Sequence, residues 1–462
     1  MLKTHTSHNI LNPVGGTIAL WGIKDAAVLA HLALYDLQPR GTETAGIVSS
    51  DGTKLHRFTA LGHVVDQFER DVFQILPGSA AVGRIGYLGN RQPINDNVGP
   101  LLFEDHSGPL AITSLGVLTN YQAVKSFLIR RGAIFRTDYQ TELVLHLLAH
   151  TYTGTVAERL LTINRMIEGA FSIVILTADS LFVLTDGQGF FPLCLGKKDD
   201  GWVVASESCA FDLIGAEFVR ELQPGELTVI NKDGCQSVPF VKSSVQSRCC
   251  LEAVHFCRPE SRFGSSSYGQ ISRKLGSMLG EKYPVPQADI VMAVPDSAMG
   301  MAIGYAQATG KPFEPILLNT TPVRGEVITA DGTAMDVSVK VNFKPMTEYV
   351  RDKSVVLVDD VLADSKTMNL LVSALKRGGA REVHIRISAP PIQHPCRYGV
   401  IFPLPTDHKK DLDSADSLEF LSMDEVFAVL SESMEQSYCT ACITGHYPFV
   451  PGERYRTVRV AD

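Results

Sequence analysis

Short apolar, β-branched runs punctuate the first half of the chain, each bounded by Gly, Asp or Ser: residues 17–22, 46–50, 81–86, 110–114, 171–176, 181–185 and 202–206. Runs of about four to eight such residues between turn formers read as strands. Two stretches carry the helical period instead, Ala26–Leu37 and Thr141–Tyr152. In the second, Leu143, Leu145, Leu147 and Leu148 fall on or near one face. Pro224–Glu226 is a turn that opens the strand-like LTVI. This half is expected to be mixed α/β with many strands.

The second half changes rhythm. Strand-like ADIVMAVPDS leads into helical AMGMAIGYAQATG, which stops at Gly310. SVVLVDD then leads into TMNLLVSALKRGGA, whose helix is expected to end at Gly378 and Gly379, and EVHIRISAPP follows as another buried strand. A β-α-β alternation implies a doubly wound parallel sheet, and such sheets bind ligands beyond the carboxyl ends of their strands. VPDS and VDD sit at two such ends. A polar stretch near 232–246 marks the change of style. Domains are therefore expected at 15–240 and 241–462, after a short leading segment 1–14.

Composition narrows the function classes. The 462 residues carry 42 Lys and Arg against 50 Asp and Glu, a formal charge of −8, with 45% hydrophobic and 20% charged residues. That is an ordinary globular balance, not a disordered one. It lacks the cationic excess of a nucleic-acid binder. Neither a run of 18 apolar residues nor a signal-peptide pattern occurs, so the expectation is a cytoplasmic protein without a membrane span. The nine cysteines all lie at or beyond Cys194. An odd count points to metal ligation or buried thiols rather than a disulfide scaffold, and the late clustering to a cysteine-based feature confined to the second half.

Asp359 and Asp360 close an apolar strand just before a helix, where adjacent carboxylates can hold ribose hydroxyls and a magnesium ion. SVVLVDD resembles the signature of type I phosphoribosyltransferases, and VPDS (Val294–Ser297) resembles their pyrophosphate loop. GIVSSDGTKL, LQPRG, EGAFSIVIL, VVASESCAFD, LQPGEL, SAPPIQHPCRYG, LEFLS and CTACITGHYP extend the likeness almost end to end. Together they resemble the glutamine phosphoribosylpyrophosphate amidotransferases, which open purine biosynthesis. The resemblance implies an N-terminal Ntn-hydrolase glutaminase, an αββα sandwich, coupled to a C-terminal type I phosphoribosyltransferase. Ammonia made in the first would attack the ribose carbon in the second.

Set against that family, the glutaminase site looks degenerate. The nucleophile is an N-terminal cysteine whose own amine acts as base; counted back from Trp21-Gly22, it falls on Gly15. The carboxylate-clamping Arg falls on Gly86, with Arg84 two residues away on the same strand face. The oxyanion-hole Asn falls on Leu115, a donor whose loss alone costs roughly 10²–10³ in rate. The amine-binding Asp falls on Gln140. Arg40-Gly41 survives, although Pro39 replaces the preceding His. Glutamine hydrolysis is expected to be lost, and the segment before Gly15, propeptide-like in length, to remain uncleaved.

The transferase half looks partly intact. Asp359, Asp360, Ser297, Lys366 and Thr367 match phosphoribosyl- or Mg²⁺-binding positions. Ser365 replaces the phosphate-loop glycine, and Asp364 brings a negative charge that reads equally as a helix N-cap. The mobile-loop stretch keeps Arg324 and Lys340 but loses other basic residues. Cys249, Cys396, Cys439 and Cys442 fall on the family's cluster ligands, favouring [4Fe–4S] over tetrahedral zinc. The expectation is a divergent iron–sulfur paralogue, non-catalytic or regulatory, that forms a dimer or tetramer and takes a small phosphorylated ligand, with no nucleic acid. The alternatives are an ammonia-dependent phosphoribosylamine-forming enzyme, or one repurposed for another nucleotide.

Overall fold

The structure is a computed structural model that describes residues 14–88, 95–137, 139–151, 153–240, 246–319, 326–328, 334–336, 343–362, 365–400, 412, 414–432 and 437–448. Thirteen strands build its first part: β1 Gly16–Trp21, β2 Thr44–Ser50, β3 Leu55–Leu61, β4 Ala80–Gly86, β5 Leu101–Asp105, β6 Gly108–Leu118, β7 Gly169–Leu176, β8 Ser180–Thr185, β9 Cys194–Lys198, β10 Gly201–Ala205, β11 Glu217–Glu221, β12 Glu226–Asn231 and β13 Gly234–Pro239. They form a seven-stranded sheet, β11-β9-β10-β1-β4-β2-β3, and a six-stranded sheet, β13-β12-β8-β7-β6-β5. All their pairings are antiparallel.

Strand period two decides the layers. Ala19, Val48 and Val82 face Ala111, Leu115 and Val174 between the sheets. Ile18 and Leu20 point the other way, onto helix α1 Ala26–Asp36. Helices α2 Tyr121–Arg130, α3 Thr141–His150 and α4 Val156–Ile163 cover the outer face of the second sheet. The result is helix, sheet, sheet, helix. Each strand-like run of the sequence lies on one of these strands, within a residue or two at its ends, except 110–114, whose strand runs on to Leu118. The helix from Thr141 ends at His150; Tyr152 lies outside the described residues.

The second part is a parallel sheet, β14 Ile290–Ala293, β15 Ser354–Asp359, β16 Glu382–Ile387 and β17 Ser417–Phe420, in that order. Helices α5 Tyr268–Lys282 and α6 Met299–Thr309 pack on one face through Ile271, Leu275, Met301 and Tyr305 against Val356 and Val358. Helix α7 Ser365–Arg377 packs on the other through Met368, Leu371 and Leu375 against Val355 and Leu357. A final helix, α8 Met423–Ser431, starts in a capping box of Ser422 and Glu425. Gly310 ends α6 at φ +66°, as the sequence predicts. The core between the two sandwich sheets runs on through Phe190, Phe191, Tyr398 and Val400 into this domain.

Candidate functional sites

Gly15 immediately precedes β1, and its surroundings leave no room for a side chain. Its φ is +104°, and a Cβ there would lie 2.7 Å from the Ile85 carbonyl oxygen and 3.1 Å from Arg84 Nη2. Arg84, on β4, is 7% exposed. It donates to the Val14 carbonyl at 3.2 Å and to the Ser114 carbonyl, and its guanidinium lies 5.4 Å from the Tyr139 ring centroid. The cation therefore sits in the space a nucleophile would occupy, held by carbonyl dipoles and a ring face. It does not reach outward as a substitute clamp for a glutamine carboxylate. Gly86 packs its backbone against Gly41, where an added Cβ would come within 2.3 Å. Leu115 is buried between the sheets. Gln140 Oε1 accepts from the Leu118 N–H at 3.0 Å, which ties the start of α3 to β6.

Arg40 has a role that the sequence does not announce. Its Nε donates to the Gly15 carbonyl at 3.0 Å. Its Nη1 meets Glu207 Oε1 at 2.7 Å and Glu252 Oε2 at 2.9 Å, and its Nη2 meets Glu252 Oε1 at 2.7 Å. Glu252 belongs to the second domain, so one buried guanidinium joins the two halves. Glu207 also accepts from the Arg258 N–H and the Ser261 hydroxyl, each at 2.8 Å.

At the sheet's carboxyl edge, β14 and β15 lie side by side, Ala293 opposite Val358. Their following loops place VPDS next to Asp359-Asp360. Ser297 is exposed there. Asp360 is buried. His255 Nδ1 lies 2.8 Å from its Oδ2, the Val361 N–H donates to its Oδ1 at 2.6 Å, and its own N–H donates to Asp359 Oδ1 at 2.9 Å. Burial, then the adjacent Asp360 charge, pushes the Asp359 carboxyl well above the usual carboxylate range. Burial lowers and the Asp360 carboxylate raises the His255 pKa, and the carboxylate wins. Lys366 is exposed and Thr367 half-buried in the first turn of α7. Asp364, Arg324 and Lys340 lie outside the described residues.

The four cysteines singled out by sequence come together. Cys249, Cys396, Cys439 and Cys442 line one cavity, with Phe190, Phe191, Leu251, Tyr398, Val400 and Ala441. Cys249 pairs with Cys439 in a short parallel ladder. The N–H groups of Gln393 and His394 fix the Cys442 carbonyl at 2.8 and 2.9 Å, and the Tyr398 N–H points at Cys396 Sγ at 3.2 Å. Burial raises the Cys249 thiol well above its ordinary pKa, and the charges of Cys439, Cys442 and Cys396 add to that. Among the described residues no three His, Cys, Asp or Glu groups converge to hold a single metal ion. Tetrahedral zinc at about 2.3 Å needs thiolates roughly 3.8 Å apart. Cys257 lies elsewhere, 3.4 Å from Glu252 Oε2.

An αββα amidotransferase sandwich joined to a phosphoribosyltransferase sheet defines a two-domain class, and comparison with known proteins agrees. Residues 91–212 match the glutamine amidotransferase domain family and residues 287–401 the phosphoribosyl transferase domain family. The chain is 34% identical to the amidophosphoribosyltransferase of Bacillus subtilis (strain 168) over 454 residues, 95% of this chain and 94% of that one. It is 36% identical over 450 residues to the chloroplastic amidophosphoribosyltransferase 1 of Arabidopsis thaliana, 95% of this chain and 79% of the other. The solved structure of an allosteric regulatory enzyme of purine biosynthesis superposes with a TM-score of 0.87 at 34% identity, covering 94% and 96% of the two chains. The B. subtilis enzyme complexed with ADP and GMP superposes with a TM-score of 0.86 at 33% identity, covering 94% and 97%. The chain belongs to the amidophosphoribosyltransferase family. Among the described residues no helix is long and apolar enough to cross a membrane.

Proposed function

We propose that this protein makes phosphoribosylamine from phosphoribosylpyrophosphate and free ammonia, having lost glutamine hydrolysis. Ammonia attacks the ribose C1, the C1–oxygen bond to pyrophosphate breaks, and the surplus proton leaves with solvent base. The observation that carries the reading is the Asp359–Asp360 pair. Asp360 is pinned by His255 and the Val361 N–H, and Asp359 stands at the strand end beside the VPDS loop. Those carboxylates would hold the ribose hydroxyls and a magnesium ion. Ser297, Lys366 and Thr367 would take the phosphates. End-to-end likeness to named amidophosphoribosyltransferases supports this transferase reading over a non-catalytic regulatory one.

Glutaminase loss rests on Gly15, which carries no sulfur and faces Arg84 where a nucleophile would stand. Cys249, Cys396, Cys439 and Cys442 would hold a [4Fe–4S] cluster, which supplies a covalent staple between segments distant in sequence. The test is pyrophosphate release by anaerobically purified protein given phosphoribosylpyrophosphate and Mg²⁺, with ammonium or with glutamine. Turnover with ammonium alone is expected. Equal turnover with glutamine refutes the loss. Silence with both nitrogen sources and no thermal shift on adding phosphoribosylpyrophosphate returns the protein to a non-catalytic role.

A further inference from the structure

One short segment of the second domain touches four separate places at steps of three residues. Cys249 lines the thiol cavity, Glu252 takes the Arg40 guanidinium, His255 meets Asp360, and Arg258 pairs with Asp36 at 2.7 Å. Its middle, Glu252–Phe256, is a single wide helical turn in which the Cys257 N–H reaches back to the Glu252 carbonyl at 3.2 Å. Glu252 and His255 leave that turn three residues apart. Displacing one displaces the other, because the turn is one rigid backbone unit. Arg40 is 2% exposed and is the cation that neutralises Glu252 from the sandwich side.

We propose that Arg40 is a positioning residue for the acidic pair: through Glu252 it seats the turn that carries His255 against Asp360. The proposal rests on the reading of Asp359 and Asp360 as the phosphoribosyl-binding carboxylates. Arg40 also holds the Gly15 carbonyl, so the side that has lost its nucleophile still braces the other. The fork geometry matters: a lysine keeps the charge but cannot span both Glu252 oxygens and Glu207 together.

Arg40→Lys, His255→Gln and the double variant test this in the full-length chain. Two readouts are used: the KM for phosphoribosylpyrophosphate in ammonium-driven pyrophosphate release, and amide exchange of the peptide spanning 359–362. A small misplacement of a positioned group can cost up to roughly 10²-fold, so Arg40→Lys is expected to raise KM about tenfold, more than it lowers kcat. Exchange at Val361, whose N–H Asp360 accepts, is expected to quicken while strand 171–176 stays as in the wild type. The double variant should add nothing to His255→Gln, because both break one chain of contacts. Faster exchange at 252–257 with none at 359–362, or additive effects, overturns the proposal. If the wild type releases no pyrophosphate, the proposed activity falls, and the exchange pattern alone still decides for or against Arg40. Should Arg40→Lys fail to fold, Glu252→Gln cuts the same contact and must give the same exchange pattern.

Discussion

Restoring a side chain at Gly15 is the sharpest test of how the sandwich site is built. A Cβ at φ +104° costs about 1–2 kcal/mol from backbone strain alone. Its 2.7 Å approach to the Ile85 carbonyl involves backbone on a central strand, paired on both sides, which cannot yield as a side-chain tip would. Overpacking of that kind costs about 1–3 kcal/mol. Gly15→Ala should therefore destabilise the domain by about 2–5 kcal/mol, a urea midpoint shift of roughly 1–2.5 M at a slope of about 2 kcal/mol/M. Gly52→Ala is the control: its φ is +90° with nothing within 4 Å of the added carbon, so it reports strain without the clash. The chain has two tryptophans, and Trp21 and Trp202 face each other across β1 and β10. Their emission therefore follows this sheet and not the transferase domain. If Gly15→Ala melts with Gly52→Ala, Gly15 is not pressed against Ile85 and Arg84, and the account of a filled pocket is wrong. Gly15→Cys should be as unstable as Gly15→Ala and still release no ammonia from glutamine.

Three further outcomes are expected. Asp360→Asn should abolish ammonium-driven pyrophosphate release while leaving the thermal transition within a few degrees, and undiminished turnover would remove the acidic pair from the mechanism. Cys442→Ser should lose the brown absorbance and the iron of anaerobically prepared protein, whereas Cys235→Ser, on the outer strand β13, should keep both. Glu142 has His146 Nε2 3.4 Å from its Oε1 and accepts from the N–H groups of Arg136 and Thr137, each at 2.8 Å, and from the Thr137 hydroxyl; despite burial, His146 first and then these donors hold its carboxyl down to about 2 from the ordinary 4.5. A folded-state pKa below the unfolded one adds stability that is present above about pH 4.5 and lost as pH falls through 2. Glu142→Gln should flatten stability over that window by roughly 1–3 kcal/mol after solvent screening, measured by urea melts at pH 3 and 6.

Much of the fold is legible because buried strands advertise themselves. Gly169–Leu176 is buried at seven of its eight positions, so it reads as a continuous apolar run. Edge strands do not: Leu55–Leu61 is half-exposed at all but one residue, and its sequence, LHRFTAL, shows no clean pattern. Helix α5 was hidden for a different reason. Gly276 and Gly304 let it and α6 touch, with an added Cβ 1.9 Å from the Met301 carbonyl or 2.1 Å from that of Arg273. The same glycines weaken the helical signal. The capping box of Ser267 and Gln270 was the cue that could have found it. At the sites, family spacing pointed to the cysteines and to Asp359-Asp360. It was blind to Glu207, Glu252 and His255, whose partners lie 167, 212 and 105 residues away in the chain.

The two sites differ in what their residues cost. In the sandwich the replacements fit one another. Arg84 has its place because Gly15 brings no side chain, Leu115 fills the core, and Gln140 satisfies a strand N–H. A single reversal there should disturb its neighbours, because each residue holds another in place. The transferase edge is the opposite case. Two adjacent carboxylates sit at a strand end where burial and mutual repulsion disfavour ionising both, and the His255 contact reaches only Asp360. Neutralising Asp359 by substitution should therefore stabilise the unliganded protein while weakening its hold on magnesium and phosphoribosylpyrophosphate. A group that costs the empty fold stability and repays it only with a cation and ribose hydroxyls bound behaves as a ligand-binding residue. If Asp359→Asn melts lower than the wild type without ligand, Asp359 is a structural carboxylate and the transferase reading loses its main physical support.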